Sequence, residues 1–138
     1  MESISREDYL RAIYHLLEEE HEVKSVEVAS YLDVSKPSVS EMLKKLDKGG
    51  FISYKKYSKI NLTKKGLNIA KNLTFRHRIV ETFLKDVLQL SHEKIHNEAH
   101  KLEHAFSDES IERMGKLLGN PKKDPHGKPI PGNSSQIK

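Results

Sequence analysis

Apolar residues recur at intervals of three and four along most of this chain, and the period breaks only at two short β-type runs and near the C-terminal end. Tyr9, Leu10, Ile13, Tyr14, Leu16 and Leu17 mark one face of a first helix. Ser5, with Asp8 three residues on, suits its start. Ser25 is expected to cap a short second helix through Val26, Val28, Ala29 and Leu32, stopping near Asp33. Ser35-Lys36-Pro37-Ser38 then supplies an N-cap and a first-turn proline, where the missing N–H leaves no partner unsatisfied. The third helix runs through Val39, Met42, Leu43 and Leu46 to Lys48, and Gly49-Gly50 ends it.

Two helices of this length joined by a tight turn read as a helix-turn-helix. Phe51 to Tyr54 and Ile60 to Leu62 are β-type runs on either side of Lys55-Lys56-Tyr57-Ser58-Lys59, so a basic hairpin follows at once. Together they predict a winged helix. From Thr63-Lys64-Lys65-Gly66 a long helical pattern carries Leu67, Ile69, Ala70, Leu73, Ile79, Val80, Phe83, Leu84, Val87 and Leu88. Ser91 is expected to cap a further helix, and Ser107 another through Ile111, Met114, Leu117 and Leu118. After Gly119 the chain turns to Pro121, Pro125, Gly127, Pro129, Pro131 and Gly132 without apolar period, which predicts an extended or flexible tail. The expected architecture is mainly α: a winged-helix domain over 1–62, a helical domain over 63–119, and the tail over 120–138.

Charge sharpens the division. The chain of 138 residues has a net charge of +4. Residues 1 to 34 set Arg6, Arg11 and Lys24 against nine acids, a balance of −6, whereas residues 35 to 66 set nine lysines against Glu41 and Asp47, a balance of +7. A basic block on a winged helix is the electrostatic footprint of a nucleic-acid surface. No run approaches the ~20 apolar residues of a membrane helix, and the N-terminus is acidic where a signal peptide is basic, so a cytoplasmic protein is expected. Zero cysteines exclude disulfides, thiolate metal sites and a cysteine nucleophile.

The chemistry lies in the imidazoles. His96, His100, Glu103 and His104 fall along one face of a helix, since residues three and four apart are neighbours. His100, Glu103 and His104 can converge on one ion, and His96 stands one turn back to serve another. His77 and Glu81 repeat the i, i+4 spacing on the preceding helix. The competing reading is a solvated face, since eight histidines in one short chain align somewhere by chance.

These residues resemble the DtxR/MntR family of metal-dependent transcriptional repressors. The resemblance rests on Glu7-Asp8-Tyr9-Leu10 with Ile13-Tyr14, Leu43-Lys44-Lys45-Leu46, Leu62-Thr63-Lys64-Lys65-Gly66, Arg76-His77-Arg78, and Glu98-Ala99-His100-Lys101-Leu102-Glu103-His104 followed by Ser107-Asp108. It implies a winged-helix DNA-binding domain, a helical metal-binding and dimerisation domain, and a homodimer that represses metal-uptake genes when metal is plentiful. By position it implies an activating metal site at Asp8, His100, Glu103 and His104, and an ancillary one at His77, Glu81 and His96. Two departures matter: His100 stands where one branch has cysteine and the other glutamate, and Arg11 replaces a ligand glutamate of the manganese-type branch. The sequence stops soon after His126-Gly127-Lys128-Pro129-Ile130-Pro131-Gly132, so the resemblance is to a short form without the SH3-like domain of the iron branch.

Two carboxylates and two imidazoles without sulfur favour Mn²⁺ or Fe²⁺, with Zn²⁺ and Co²⁺ able to bind as well. Asp8 as a ligand rests on the resemblance alone, because a first-turn acid also suits the helix dipole. For DNA, Ser35, Lys36, Pro37, Ser38, Ser40 and Glu41 open the expected recognition helix and are candidates for base contact. Lys44, Lys45 and Lys48, with Lys55, Lys56 and Lys59 in the wing, are expected on phosphates. The expected partners are an operator in double-stranded DNA and a second copy of the chain, with no membrane and no small organic substrate. Two readings compete: a winged-helix regulator indifferent to metal, and a metal-dependent hydrolase. Against the second, the chain has no Gly-rich phosphate loop or nucleophile motif, and it is not expected to be an enzyme.

Overall fold

The computed structural model of the chain describes residues 5–20 and 22–132. Six helices and a two-stranded sheet follow one another as α1 (Arg6–Glu19), α2 (Ser25–Leu32), α3 (Lys36–Lys48), β1 (Ile52–Ser53), β2 (Asn61–Leu62), α4 (Lys64–Asp86), α5 (His92–Ala105) and α6 (Asp108–Leu117). They fall into two compact units, Met1–Lys71 and Asn72–Lys138. The division lies inside α4, nine residues beyond the expected boundary at 62, because the first turns of α4 pack into the first unit. Ala70 belongs to that unit's core.

In the first unit, the amphipathic faces of α1, α2 and α3 meet the hairpin around Tyr9, Leu10, Ile13, Val28, Leu43 and Leu46, all nearly inaccessible to solvent. Helix starts follow the side-chain chemistry. The Ser5 hydroxyl accepts the Asp8 N–H at 3.2 Å, and the Asp8 carboxylate accepts the Ser5 N–H at 3.0 Å, a reciprocal capping box. Ser35 caps α3 by accepting the Ser38 N–H. Ser25 does not cap α2: Lys24 holds the cap position, and its N–H goes to the Glu27 carboxylate at 2.9 Å. The hairpin is antiparallel with Ile52 opposite Leu62 and Ser53 opposite Asn61, shorter than the β-type runs that predicted it.

The turn between α3 and β1 is fixed from α4. The Thr63 hydroxyl donates to the Gly50 carbonyl at 2.7 Å and accepts the Gly66 N–H at 3.1 Å. Gly66 is required by close approach rather than by turn geometry. A Cβ there would stand 1.9 Å from the Phe51 carbonyl oxygen.

In the second unit, α4, α5 and α6 enclose Phe75, Ile79, Val80, Leu84, Ile95, Ala99, Ile111 and Met114. Ser91 stands at the N-cap of α5 without a side-chain cap bond, while Ser107 caps α6 through the Ser110 N–H.

The tail expectation is corrected for residues 120–132. Lys123 and Pro129 form an antiparallel bridge, and Asp124 N–H and Lys128 carbonyl meet at 2.8 Å. Asp124 is buried and accepts the N–H groups of His126 and Lys128. The buried Arg78 on α4 donates to the Pro129 carbonyl at 2.6 Å. Order here comes from polar anchoring to α4, which no apolar period announces. Residues 133–138 lie outside the described residues.

Candidate metal centre

Glu81 is the centre of the arrangement. It is 3% exposed on α4, and its two oxygens face different imidazoles. Oε1 lies 3.4 Å from His77 Nε2, while Oε2 lies 3.9 Å from His96 Nδ1 and 4.0 Å from His126 Nδ1. Each of these side chains has a distinct source: His77 stands one turn before Glu81 on the same helix, His96 comes from α5, and His126 from the 120–132 turn. Burial raises the Glu81 carboxyl, but the polar contacts of His77 and His96 and the charges of His77 and His126 outweigh it. The group is held well below the usual carboxylate range.

One ligand atom each of His77, Glu81 and His96 lies within 4.8 Å of the others, and the same holds for Glu81, Asp124 and His126. Donors this close need only small side-chain rotations to meet on one ion. Their mixture of imidazole nitrogen and carboxylate oxygen fits a divalent first-row metal. Asp124 and His126 were not among the expected site residues, because the segment that carries them read as flexible. The signal present was a carboxylate and an imidazole two residues apart beside Gly127, a turn that aims both the same way.

The other expected set adjoins this one. Glu103 on α5 is 2% exposed, and its Oε1 lies 3.5 Å from His100 Nδ1 and 3.1 Å from His77 Nδ1. The His100 and His104 rings stand edge to face at 5.5 Å. Thus His77 touches both sets, joining what the sequence presents as separate groups. Asp8, buried on α1, is engaged with Ser5 through Oδ2, which accepts from the hydroxyl at 2.9 Å and from the N–H at 3.0 Å.

On the first unit the basic positions are outward. Lys36, Lys44, Lys45 and Lys48 on α3 and Lys55, Lys56 and Lys59 in the hairpin are exposed, as are Ser35, Pro37, Ser38 and Glu41, with Ser40 half-buried. Glu41 is 3.8 Å from Lys45, and the Ser35 hydroxyl is committed to its cap and to Ser38. Among the described residues no helix is long and apolar enough to cross a membrane.

A winged helix-turn-helix with a basic outward face, joined in one chain to a helical unit in which buried carboxylates gather imidazoles, defines a metal-responsive DNA-binding regulator. Residues 1–60 match the iron dependent repressor N-terminal DNA binding domain, and residues 63–132 match the iron dependent repressor metal binding and dimerisation domain. The chain belongs to this family of transcriptional regulators, which is not a family of enzymes. It is 40% identical over 118 residues to the HTH-type transcriptional regulator MntR of Bacillus subtilis (strain 168), covering 86% of this chain and 82% of that one. Among solved structures, the manganese regulator SloR superposes with a TM-score of 0.83 at 40% identity, over 96% of this chain and 62% of that one. A manganese-dependent transcriptional repressor in complex with manganese gives 0.84 at 36%, over 93% and 59%. The chain therefore spans about three fifths of the length of these solved relatives.

Proposed function

We propose that this protein is a cytoplasmic repressor of metal-uptake genes that binds a two-fold operator as a homodimer when Mn²⁺ or Fe²⁺ is bound. The observation that carries the reading is the gathering of His77, His96 and His126 around the buried Glu81, in a chain of this family. Manganese comes first, because relatives of this chain are named as manganese regulators and the donor set is free of sulfur. Zn²⁺ and Co²⁺ would occupy the same donors in vitro.

His100, Glu103 and His104, with Asp8 by resemblance, would hold the activating ion. His77, Glu81 and His96 would hold a second, with Asp124 and His126 beside it. A divalent ion supplies, when bound, a cross-link between side chains of separate elements. Glu81 and Glu103 bring buried negative charge, and the imidazoles bring neutral nitrogen donors. Lys36, Pro37, Ser38, Ser40 and Glu41 would face base edges. Lys44, Lys45, Lys48, Lys55, Lys56 and Lys59 would lie along phosphates and set register without reading sequence.

Titration of labelled promoter DNA with metal-free protein, then with Mn²⁺, Fe²⁺, Co²⁺ or Zn²⁺, tests the reading. Affinity should rise with metal and fall again with chelator. Binding of equal strength in chelator would instead mark a winged-helix regulator indifferent to metal.

A further inference from the structure

Both nitrogens of His77 face carboxylate oxygens. Nδ1 is 3.1 Å from Glu103 Oε1, a hydrogen bond between α4 and α5, while Nε2 is 3.4 Å from Glu81 Oε1. All three residues are buried, with 5% exposure at His77, 3% at Glu81 and 2% at Glu103. A carboxylate accepts and does not donate, and a neutral imidazole carries one N–H. Without metal the ring faces both carboxylates and its charge lowers the Glu81 carboxyl; with an ion bound it carries one N–H, which the shorter contact keeps on Nδ1. In that metal-bound state the Nε2 lone pair is the one turned toward the Glu81 and His96 position.

We propose that Glu103 serves both metal positions: as a ligand beside His100 and His104, and as the positioning carboxylate that accepts the Nδ1 proton of His77 and so presents Nε2 to the ion at Glu81 and His96. The inference rests on the reading of His77, Glu81 and His96 as ligands. An imidazole whose far N–H is held by a carboxylate is fixed in tautomer and ring angle and is a more basic ligand, and loss of such a partner weakens metal binding about 10- to 100-fold. The consequence here is specific. Glu103 meets the Glu81 position through His77, so its substitution should weaken that position, and the two ions should report on one another through a single side chain.

The test separates Glu103's two roles by first removing one. In a His100→Ala, His104→Ala background, calorimetry with Mn²⁺ should count one remaining ion per chain. Adding Glu103→Gln should lower its affinity about tenfold, and Glu103→Asp should recover part of the loss. Nitrogen-15 imidazole spectra of the unmodified protein loaded with Zn²⁺ supply a readout that does not depend on the variants folding. They should show His77 ligated at Nε2 and protonated at Nδ1. Ligation of His77 through Nδ1, or an affinity unchanged by Glu103→Gln, would overturn the inference. Failure of the reading beneath it looks different: His77→Ala in the unmodified chain would then lose no ion at all.

Discussion

Arg76 donates its Nε to the backbone carbonyl of Glu103 at 3.1 Å, so the residue before His77 on α4 holds the backbone of the residue whose carboxylate His77 touches. The same guanidinium reaches Glu103 again through Nη2, the Phe106 carbonyl at 2.5 Å and the Asp108 carboxylate at 2.6 Å. It thereby satisfies carbonyls at the C-terminal end of α5, which lack intrahelical partners, and ties them to the first turn of α6. His77 and Glu103 are thus registered twice, once by their own hydrogen bond and once through adjacent backbone.

Replacing Arg76 with Gln should cost about 2–3 kcal/mol, since charged hydrogen bonds are lost and carbonyls at a half-buried helix end are left unpaired. Urea denaturation of the metal-free protein measures this. Arg76→Lys should recover little, because an ammonium does not reproduce the planar fork. Stability within about 0.5 kcal/mol of the parent in Arg76→Gln, the range of an ordinary surface substitution, would show that the clamp is incidental.

Gly66→Ala should be among the most damaging single-methyl changes in the first unit. The new Cβ would meet the Phe51 carbonyl at 1.9 Å, and a backbone atom cannot swing aside as a side chain does. The Thr63 bonds to Gly50 and Gly66 would be strained with it. A loss of about 2–4 kcal/mol is expected. Retention of parental stability would mean that α4 shifts freely against the hairpin.

Much of this was legible in the sequence for physical reasons. Where a helix is capped by its own hydroxyl and packs one apolar face, as α1 and α3 do, period and cap agree on where it starts. The i, i+4 pair of His77 and Glu81 likewise predicted neighbours, because the helix alone dictates that contact. What could not be read was long-range polar order. Nothing local marks Arg78 as the anchor of Pro129 or Arg76 as the clamp on Glu103, since these hydrogen bonds join positions 51 and 27 residues apart. Asp124 and His126 were missed for the same reason: their turn looks like linker until a buried arginine holds it.

The lysines should separate positioning from reading. Lys45→Ala and Lys56→Ala remove exposed charges on α3 and in the hairpin. Each should weaken operator binding and reduce the slope of log affinity against log salt by about 1 for each phosphate that is no longer neutralised. Sequence preference should be nearly unchanged. A slope untouched by both substitutions would place the DNA elsewhere.

Metal should stabilise the second unit as well as activate it. An ion bound only by the folded protein adds about 2.7 kcal/mol when present at about 100 times its Kd. Thermal melts in Mn²⁺ should therefore shift upward, and Glu81→Ala should abolish the part of that shift due to its position. His104→Ala and Asp8→Ala should keep a metal-dependent shift from the Glu81 position while losing metal-stimulated operator binding. If Asp8→Ala retained the full operator response, the role the resemblance gives Asp8 would be withdrawn.

Asp124 links the turn to the centre and can be dissected by its two oxygens. Oδ1 accepts the His126 and Lys128 N–H groups at 2.9 and 2.8 Å, which shapes the turn, while Oδ2 faces His126 Nδ1 at 3.8 Å and Arg78 Nε at 3.9 Å. Asp124→Asn keeps an acceptor for the two N–H groups and removes the charge. Asp124→Ala removes both. Hydrogen exchange in residues 122–130 should accelerate strongly in Asp124→Ala and little in Asp124→Asn, since the amides are protected by Oδ1 and by the Lys122–Ile130 and Asp124–Lys128 bonds. Mn²⁺ affinity measured by calorimetry should fall in both, because Asn is a weaker ligand than a carboxylate and brings no negative charge to the ion. Equal Mn²⁺ binding in the parent and Asp124→Asn, with the turn intact, would confine Asp124 to holding the turn.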